Sequence, residues 1–573
     1  QGIGLNSSTF PKDPVFNKFL SDATYAQKAN DVFDVDNQGN EMKWSAIKVN
    51  DKSSFAGRNL RSGYVYLTYR SGSERTVLFE ASGHSVALVN GLPHEGDHYD
   101  FGWNLIPVKL KKGTNTLVLK VGRFPRIRAR LIQPSTLVQF TTRDVTMPDL
   151  LTEESIAYNG AIRIVNASKN WIKKHKIITK HSGKESIVNV ATIAPMSVRK
   201  VPITIPSAQG QEIGKTTVLL ELKNSRKQTV SRQEISLDVK TNTKHHKRTL
   251  ISNIDGSVQY YSVAPSTKTD DAQAMFLSVH GASVEATNQA RAYKQKDWGN
   301  LIAPTNRRPF GFAWEDWGRL DALEVLAEAK SIYKPNPQKI YLTGHSMGGH
   351  GTWYLGATYP DYFAAIAPAA GYPDLLSYRN SFRRRQSQIT PAQMKQYGIT
   401  QKMLDRMLLE PTPTMVEKLI ERAGTPSRTL KLKRNYLQQG VYVLHGEKDN
   451  VVPTFLAREM REELGKFHSD FTYYEYPGGT HWYGDHSVDW PPIFDFFKQR
   501  SIKESKDVKK LEFYTGSPGV SAKSHFITIH QQEVPFDVSS FKFQNETSTS
   551  LELDNVALLE IDFSDFKETP ETI

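Results

Sequence analysis

The sequence predicts a multidomain chain in which two β-sandwiches precede an α/β domain, and a short β extension follows it. Three observations predict this fold class. The chain has 573 residues, which is more than one hydrophobic core usually holds. Before residue 249, short alternating apolar runs such as "SGYVYLTYR" are separated by Gly, Asn and Asp, a pattern typical of strands and turns. After it, helical patterns such as "WGRLDALEVLAEAKSIY" alternate with short apolar strands such as "KIYLTG", which indicates a mostly parallel sheet with helices on both faces.

The composition is that of a globular protein, with 38% hydrophobic and 23% charged residues. Cysteine is absent, so disulfides, thiolate metal sites and a cysteine nucleophile are excluded. No run of about eighteen apolar residues predicts a membrane span. Because the chain begins at Gln1, we expect a processed export product or a shortened chain, and secretion or a periplasmic location with the signal peptide removed. The end soon after "FSDFKETPETI" suggests a truncation. The sequence does not predict an oligomeric state.

The net charge of +13 would suit nucleic acid, anionic surfaces or acidic polymers. However, the sequence carries no zinc-finger spacing, basic-leucine heptads or aromatic ribonucleoprotein motif. We therefore interpret the charge as solvated surface and expect no nucleic-acid partner.

Residues 1–134 contain the run "VALVNGLPHEGDHYDFGWNLIPVKLKKGTNTLVLKV", which resembles the galactose-binding-like jelly roll that accompanies many carbohydrate-active enzymes. Residues 135–248 bring a second strand series, including "GAIRIVNAS" and "TTVLLELKN", that resembles an immunoglobulin-like β-sandwich. Within it, Lys244-His245-His246-Lys247-Arg248 is predicted to be a solvated linker, with a metal site as the alternative.

The candidate nucleophile lies in the next region, 249–501. Gly344-His345-Ser346-Met347-Gly348 has the G-x-S-x-G spacing of a nucleophile elbow. Such a serine occupies a sharp strand-to-helix turn that projects its Oγ outwards, and the flanking glycines provide room for that turn.

An acid and a histidine follow the serine in the order that α/β enzymes of this kind require. In "VYVLHGEKDNVVP" the acid is Asp449, with Glu447 as competitor; in "FTYYEYPGGTHWYGDH" the base is His481, with His486 as the alternative. Each follows an apolar strand, so its loop overhangs the carboxyl end of the sheet. A metal site made of His481, Asp485 and His486 is a weaker hypothesis, because helical spacing and a third histidine are missing.

A tetrahedral intermediate also needs two donors aimed at its oxyanion. One is expected from the backbone of Met347, directly after the nucleophile. The second is expected from the turn in "FLSVHGAS", at the amide of Ala282, with Ser283 as the alternative.

Taken together, "GHSMGGHGTWYLGATYPDYFAAIAPAAG", "HGEKDNVVP" and "YPGGTH" resemble the α/β-hydrolase superfamily, in its esterase and prolyl-oligopeptidase-like branch of predicted peptidases. The resemblance covers residues 249–501 and implies an α/β-hydrolase fold. It also implies a triad of Ser346, Asp449 and His481 that acts without a cofactor or metal.

The substrate is predicted from what surrounds this site. The first 248 residues lack the repeats of a β-propeller, and no acidic pair for a peptide amino terminus is evident, so we expect an esterase acting on small or polysaccharide esters. A prolyl-oligopeptidase-like peptidase and a non-catalytic sugar-binding protein are the alternatives. A lid-like insertion is expected at 375–439, where Arg383, Arg384 and Arg385 are either acid-binding or surface residues. Five tryptophans are expected in or beside rim loops, either stacking on substrate or packing in the core: Trp298, Trp314, Trp317, Trp482 and Trp490. His345 and Trp482 are expected to contact substrate, and residues 502–573 to form the carboxyl-terminal β extension.

Overall fold

The structure is a computed structural model. It describes residues 13–564 apart from the short gaps 23–24, 36–38, 40, 52–53, 58–59, 61–62, 269–271, 388, 398, 409–412 and 546–547. The chain forms two compact units, residues 1–240 and 241–573. Each is described by itself.

The first part of the amino-terminal unit is antiparallel β structure. Two four-stranded sheets, with the orders β3-β10-β5-β8 and β4-β9-β6-β7, enclose a shared core, and β1 pairs with β2. The helix α1 (Pro14–Ser21) begins after Asp13, whose carboxylate accepts a hydrogen bond from the Phe16 amide. The strands are β1 (Val32–Val35), β2 (Glu41–Lys43), β3 (Ser54–Ala56), β4 (Tyr64–Ser71), β5 (Arg75–Ser82), β6 (His84–Val89), β7 (Leu92–Glu95), β8 (Asn104–Leu110), β9 (Gly113–Val121) and β10 (Arg126–Ile132).

The second part of this unit is a three-stranded sheet, β11-β13-β16, facing a five-stranded sheet, β12-β18-β17-β14-β15. Apolar residues of both sheets alternate into one core, as a half-buried strand requires. The strands are β11 (Val138–Thr146), β12 (Leu150–Leu151), β13 (Tyr158–Asn166), β14 (Lys176–His181), β15 (Lys184–Asn189), β16 (Ser197–Ile205), β17 (Gly214–Lys223) and β18 (Thr229–Lys240).

The carboxyl-terminal unit is built on an eight-stranded sheet with the order β19-β20-β22-β21-β23-β24-β25-β26. The pairs β19–β20 and β20–β22 are antiparallel and all other pairs are parallel. The strands are β19 (His246–Ile251), β20 (Val258–Ala264), β21 (Ala274–Val279), β22 (Gly299–Ala303), β23 (Ile340–His345), β24 (Ala365–Ala369), β25 (Gly440–Gly446) and β26 (Phe471–Tyr476).

Helices cover both faces of this sheet. On one face lie α3 (Asp316–Tyr333), α4 (Met347–Thr358) and α9 (Thr454–Gly465); on the other lie α2 (Ala286–Arg291) and α10 (Pro491–Lys498). Strand β21 shows why: its alternate side chains Met275 and Leu277 enter the first core, whereas Phe276 enters the second. The strand is therefore apolar on both sides, as expected of a central parallel strand.

Between β24 and β25 the described residues form four inserted helices, and small sheets follow α10. The inserted helices are α5 (Leu375–Ser387), α6 (Pro391–Tyr397), α7 (Gln401–Leu408) and α8 (Met415–Ala423), followed by 3₁₀ turns at Thr425–Ser427 and Lys433–Gln438. The final sheets have the orders β27-β30-β31 and β28-β29-β32 and share one core. Their strands are β27 (Lys510–Thr515), β28 (Lys523–Ser524), β29 (Ile527–Gln531), β30 (Ser539–Asn545), β31 (Thr549–Asp554) and β32 (Leu558–Ile561), and two more 3₁₀ turns lie at Asp485–Ser487 and Ser505–Asp507.

The predicted fold class is confirmed: a β-rich region precedes a mostly parallel sheet with helices on both faces, and a β extension follows. The domain boundaries remain predictions. One expectation is wrong, because the run 244–248 is not a solvated linker. Instead, β19 starts at His246, which is 3% exposed and hydrogen-bonds through its ring to the Lys244 carbonyl and the Tyr333 hydroxyl. The charged residues around His246 made this segment look like a linker in the sequence, but it forms the edge strand of the eight-stranded sheet.

Among the described residues, no helix is both long and apolar enough to cross a membrane.

Candidate active site

Ser346 lies at the turn between strand β23 and helix α4, where the sharp reversal gives it a φ of 61° and a ψ of −118°. A non-glycine residue rarely adopts this conformation, because its Cβ crowds the backbone, and the cost is about 1 to 3 kcal/mol. Two backbone hydrogen bonds hold it: the Ser346 amide donates to the Ala369 carbonyl at 2.9 Å, and the His350 amide donates to the Ser346 carbonyl at 3.0 Å. The strain is thus fixed at the residue that was predicted to be the nucleophile.

The glycines around Ser346 are required by contacts with the sheet. A Cβ on Gly348 would lie 1.9 Å from the Val279 carbonyl oxygen, and one on Gly344 would lie 2.5 Å from the same atom. A Cβ on Gly349 would lie 2.4 Å from the Ala369 carbonyl oxygen. Because these partners are backbone atoms, side chains here would push α4 away from β21 and β24.

Three side chains form a continuous chain of hydrogen bonds at this turn. The Ser346 hydroxyl lies 2.9 Å from His481 Nε2, and His481 Nδ1 lies 2.7 Å from Asp449 Oδ2. Since a carboxylate only accepts, Nδ1 carries the proton and leaves Nε2 free to accept from the serine. Asp449 is buried, whereas Ser346 and His481 keep partial exposure. The arrangement can withdraw a proton from Ser346 and stabilise the imidazolium that forms.

The carboxylate of Asp449 receives further donors. Its Oδ1 accepts from the amides of Val451 at 2.8 Å and Val452 at 3.1 Å. The ring of His445, at the end of β25, donates from Nε2 to the Val452 carbonyl at 2.9 Å and lies 3.3 Å from Asp449 Oδ2. Burial alone would raise the pKa of Asp449, but the hydrogen bonds from His445 and His481 outweigh it and hold that pKa well below its usual range. The carboxylate therefore stays ionised beside His481.

The competing residues lie elsewhere. The Glu447 carboxylate accepts from the Gly478 amide at 2.7 Å, so it braces the loop that carries His481 and does not contact its ring. His486 is exposed, and its ring lies 5.1 Å from that of Trp490. Within the described part of the chain, no group of three or more His, Asp and Glu side chains could hold a metal ion.

Of the two predicted oxyanion donors, Met347 directly follows Ser346, and Ala282 directly follows Gly281, whose backbone approaches the serine. Met347 is the first residue of α4, where amide groups have no partner within the helix. Gly281 approaches the serine closely, because a Cβ built on it would lie 3.4 Å from Ser346 Cβ. The Ser283 amide donates to the Pro309 carbonyl at 2.9 Å, so this alternative donor is already engaged. The Ala282 amide donates to no acceptor among the described residues.

His345 contacts the histidine loop. Its Nε2 donates to the His481 carbonyl at 2.7 Å, and its ring meets that of Trp482 edge to face at 5.3 Å. Burial lowers the pKa of His345 to about 3, so the ring is neutral at physiological pH. Trp482 is 49% exposed. Contact of either residue with substrate remains a prediction, but His345 visibly anchors the backbone of His481.

The other tryptophans differ in burial. Trp314 is fully buried, and Trp298 and Trp490 are half-buried, whereas Trp317 is 40% exposed and stacks on Phe312. Within the insertion, Arg384 pairs with Glu459, and Arg385 donates to the Asn450 carbonyl at 2.5 Å.

Sequence reasoning missed His445. Its position directly before the glycine that ends β25, four residues ahead of Asp449, was the available signal.

The match to a family model agrees with the fold. Residues 279–490 match the model of the alpha/beta hydrolase family. An uncharacterized secreted protein of Arthroderma benhamiae is 23% identical over 422 residues, which cover 68% of this chain and 42% of that protein. Poly(3-hydroxyalkanoate) depolymerase C of Paucimonas lemoignei is 28% identical over 138 residues, which cover 21% of this chain and 32% of the depolymerase. The chain thus matches less than half the length of both relatives.

Among solved structures, a thermostable esterase is similar at 14% identity with a TM-score of 0.32; the alignment covers 64% of this chain and 100% of the esterase. The family match and the strand order together establish an α/β-hydrolase domain in the carboxyl-terminal unit.

Proposed function

We propose that this chain, whose residues 279–490 match the alpha/beta hydrolase family, is a secreted serine esterase that removes acyl groups from carbohydrate through Ser346, His481 and Asp449. The observation that carries the proposal is the unbroken hydrogen-bond chain from Ser346 Oγ through His481 to Asp449, at 2.9 and 2.7 Å. It starts at a serine held in a strained strand-to-helix turn, where the strain is compensated by the surrounding structure.

In the proposed mechanism, His481 Nε2 takes the Ser346 proton as Oγ attacks the ester carbonyl. The amides of Met347 and Ala282 stabilise the oxyanion. The imidazolium then gives its proton to the departing alkoxide, and the acyl group remains on Ser346. Water, deprotonated by the same imidazole, attacks the acyl-enzyme, and the carboxylic acid leaves with the serine hydroxyl restored.

The choice of ester over amide rests on the leaving group. An amine leaves only when it is protonated in a well-oriented site, whereas an alkoxide leaves with less help. The described part of residues 1–240 forms small sheets that enclose their own cores. This arrangement does not support a β-propeller that would restrict entry to short peptides.

Carbohydrate is proposed as the acyl carrier because the amino-terminal sequence resembles a galactose-binding-like module, and because the exposed Trp482 beside His481 offers an aromatic face for a sugar ring. Action outside the cell is supported by the name of the Arthroderma benhamiae relative, a secreted protein.

The decisive experiment compares kcat/KM for p-nitrophenyl acetate, acetylated and feruloylated sugars, a 3-hydroxybutyrate oligomer, and alanyl and prolyl p-nitroanilides. The oligomer is included because one relative is named a poly(3-hydroxyalkanoate) depolymerase. We expect sugar esters to be the best substrates, and Ser346→Ala to lower kcat by about 10⁴- to 10⁶-fold while the protein stays folded. If the anilides were cleaved as fast as the esters, the protein would be a peptidase and not an esterase. If Ser346→Ala kept half of the wild-type turnover, Ser346 would not be the nucleophile.

The acid is tested by a matched pair of isosteric variants. Asp449→Asn should lower kcat about 10⁴-fold, because an amide cannot hold the required His481 tautomer. Glu447→Gln serves as the control and should stay within about threefold, since its contact is with the Gly478 amide and an amide oxygen can still accept there. The opposite ranking would transfer the role to Glu447.

A further inference from the structure

Trp314 is fully buried, although it belongs to an irregular loop that precedes helix α3. The backbone around it is strained: φ is 51° at Ala313 and 66° at Trp314. Two successive non-glycine residues with positive φ together cost about 2 to 6 kcal/mol of folding free energy. Such a conformation persists only where the surrounding contacts over-determine it, which directs attention to what the indole contacts.

The indole connects the two structures that flank the proposed oxyanion. Its Nε1–H donates to the His280 carbonyl at 2.9 Å, and its ring meets the His280 ring edge to face at 4.9 Å. On its other side it packs against helix α4, where a Cβ on Gly351 would lie 2.5 Å from Trp314 Cγ. Trp314 therefore joins the turn at 280–283 to the helix that starts at Met347.

Hydrogen bonds at several backbone atoms hold the turn at 280–283, and the Ala282 amide takes part in none of them. The Val284 amide donates to the Gly281 carbonyl at 3.2 Å, and the Ser283 amide donates to Pro309. Because the peptide unit is planar and trans, the Ala282 N–H points away from the Gly281 carbonyl, and it donates to no acceptor within the described part of the chain. The Trp314 bond fixes the preceding peptide, so the Gly281 hinge has little freedom left.

We propose that Trp314 is a positioning residue for the oxyanion hole: its indole N–H holds the His280 carbonyl and so keeps the Ala282 amide aimed at the developing oxyanion. This inference rests on the proposed serine-esterase function. It assigns to a buried tryptophan a role in transition-state stabilisation, reached through the backbone and without substrate contact.

The N–H is removed most cleanly by site-specific replacement of Trp314 with 3-benzothienylalanine, which keeps the bicyclic shape and lacks the donor. Trp314→Phe is the genetically simple second variant. Trp353→Phe is the matched control, since Trp353 is 1% exposed in the same core and its loss reports what a buried indole contributes to folding alone. All proteins are assayed on the best ester for kcat and KM, and for inhibition by a trifluoromethyl ketone, whose adduct places an oxyanion in the hole.

Loss of the N–H should lower kcat about 10- to 100-fold with little change in KM, because an oxyanion donor acts mainly in the transition state. Affinity for the ketone should fall by a similar factor, whereas Trp353→Phe should change neither value beyond about twofold. An unchanged kcat in the folded benzothienyl protein overturns the inference, as does an equal loss in Trp353→Phe. Labelling of the wild-type protein by a fluorophosphonate tests the proposed function separately. If Ser346 is not labelled, the proposed serine-esterase function is wrong. If Ser346 is labelled, a negative result with the Trp314 variants rejects only the role of Trp314.

Discussion

The turn at 344–349, which carries the proposed nucleophile, and the turn at 280–283, which carries a proposed oxyanion donor, follow neighbouring strands of the same sheet, but they are held in different ways. They are called the nucleophile turn and the oxyanion turn below. Each contains a non-glycine residue at positive φ, Ser346 at 61° and Ser283 at 63°. Around Ser346 the turn is held by backbone bonds to the adjoining strand and helix, and its glycines pack directly on neighbouring strands. The oxyanion turn has a backbone hydrogen bond of its own, from the Val284 amide to the Gly281 carbonyl, and is otherwise held by Trp314 and Pro309, which follow it by about thirty residues.

The difference indicates which turn tolerates change. At the nucleophile turn, the backbone of α4 packs directly on the backbone of β21 and β24, and this close packing leaves no room for a side chain. At the oxyanion turn, one peptide needs the right direction, and the Trp314 indole supplies it together with the backbone hydrogen bonds of Ser283 and Val284. Damage to the first should therefore appear as lost folding, and damage to the second as lost turnover.

The largest effect is expected from Gly348→Ala. The new Cβ would lie 1.9 Å from the Val279 carbonyl oxygen and 2.7 Å from its carbon, so the helix or the strand must move. We expect destabilisation above about 4 kcal/mol, at the upper end for single substitutions, and little soluble protein. Soluble yield and thermal unfolding measure it. Gly424→Ala is the control, because its Cβ would meet only atoms at 3.5 Å; equal behaviour of the two variants would refute the packing argument.

A smaller effect is expected from Gly281→Ala, which tests the oxyanion turn. Its Cβ would lie 3.2 Å from the His345 carbonyl oxygen and 3.4 Å from Ser346 Cβ, contacts that a shift of a few tenths of an ångström relieves. The protein should fold, with stability changed by about 1 kcal/mol or less. Because the Ala282 amide moves with the turn, kcat should fall roughly tenfold at nearly constant KM. If Gly281→Ala failed to fold, this turn would be as intolerant of change as the nucleophile turn. If it folded and kept full turnover, the turn would not position an oxyanion donor. Either result would contradict the proposed difference between the two turns.

The smallest effect concerns His345, which ties the end of β23 to the His481 loop. Its pKa is lowered by burial from 6.5 to about 3, so between these values the unfolded chain binds a proton that the folded protein excludes. Stability from this group is complete above pH 6.5 and is lost as pH falls towards 3; from pH 7 to pH 5 the loss is about 2 kcal/mol. His345→Gln lacks this titration.

The measurement for His345 is denaturant unfolding of wild type and His345→Gln at pH 7 and pH 5, followed as loss of Ser346 labelling by a fluorophosphonate. The stability advantage of the wild type should shrink by about 2 kcal/mol at the lower pH. A constant difference at the two pH values would mean that the ring at 345 titrates as if it were exposed.

Much of the fold was predictable because its signals are local. The continuous apolar runs of β21, β23 and β25 predicted buried parallel strands, and the alternating runs before residue 249 predicted antiparallel sheets. The strand at His246–Ile251 was missed, since its charged residues fit a linker as well as an edge strand. Only pairing with β20 distinguishes the two.

At the candidate site, the residue types and their order along the chain pointed to Ser346, Asp449 and His481, but local sequence left Glu447 and His486 open as partners. Proximity separates them, since only Asp449 and His481 lie within hydrogen-bonding distance in one chain with Ser346. Their catalytic roles remain predictions for the variants described above.

The sequence by itself determined the order of the β-rich and α/β regions and the nucleophile turn, because hydrophobic periodicity and glycine spacing act over a few residues. Tertiary structure alone decided that Trp314 is buried against His280 and not at a substrate-facing rim, that His445 lies beside Asp449, and that the Ser283 amide is engaged by Pro309. These contacts join residues that are distant in the chain or separated by a turn. Their distances depend on how strands and loops pack together, which no local pattern specifies.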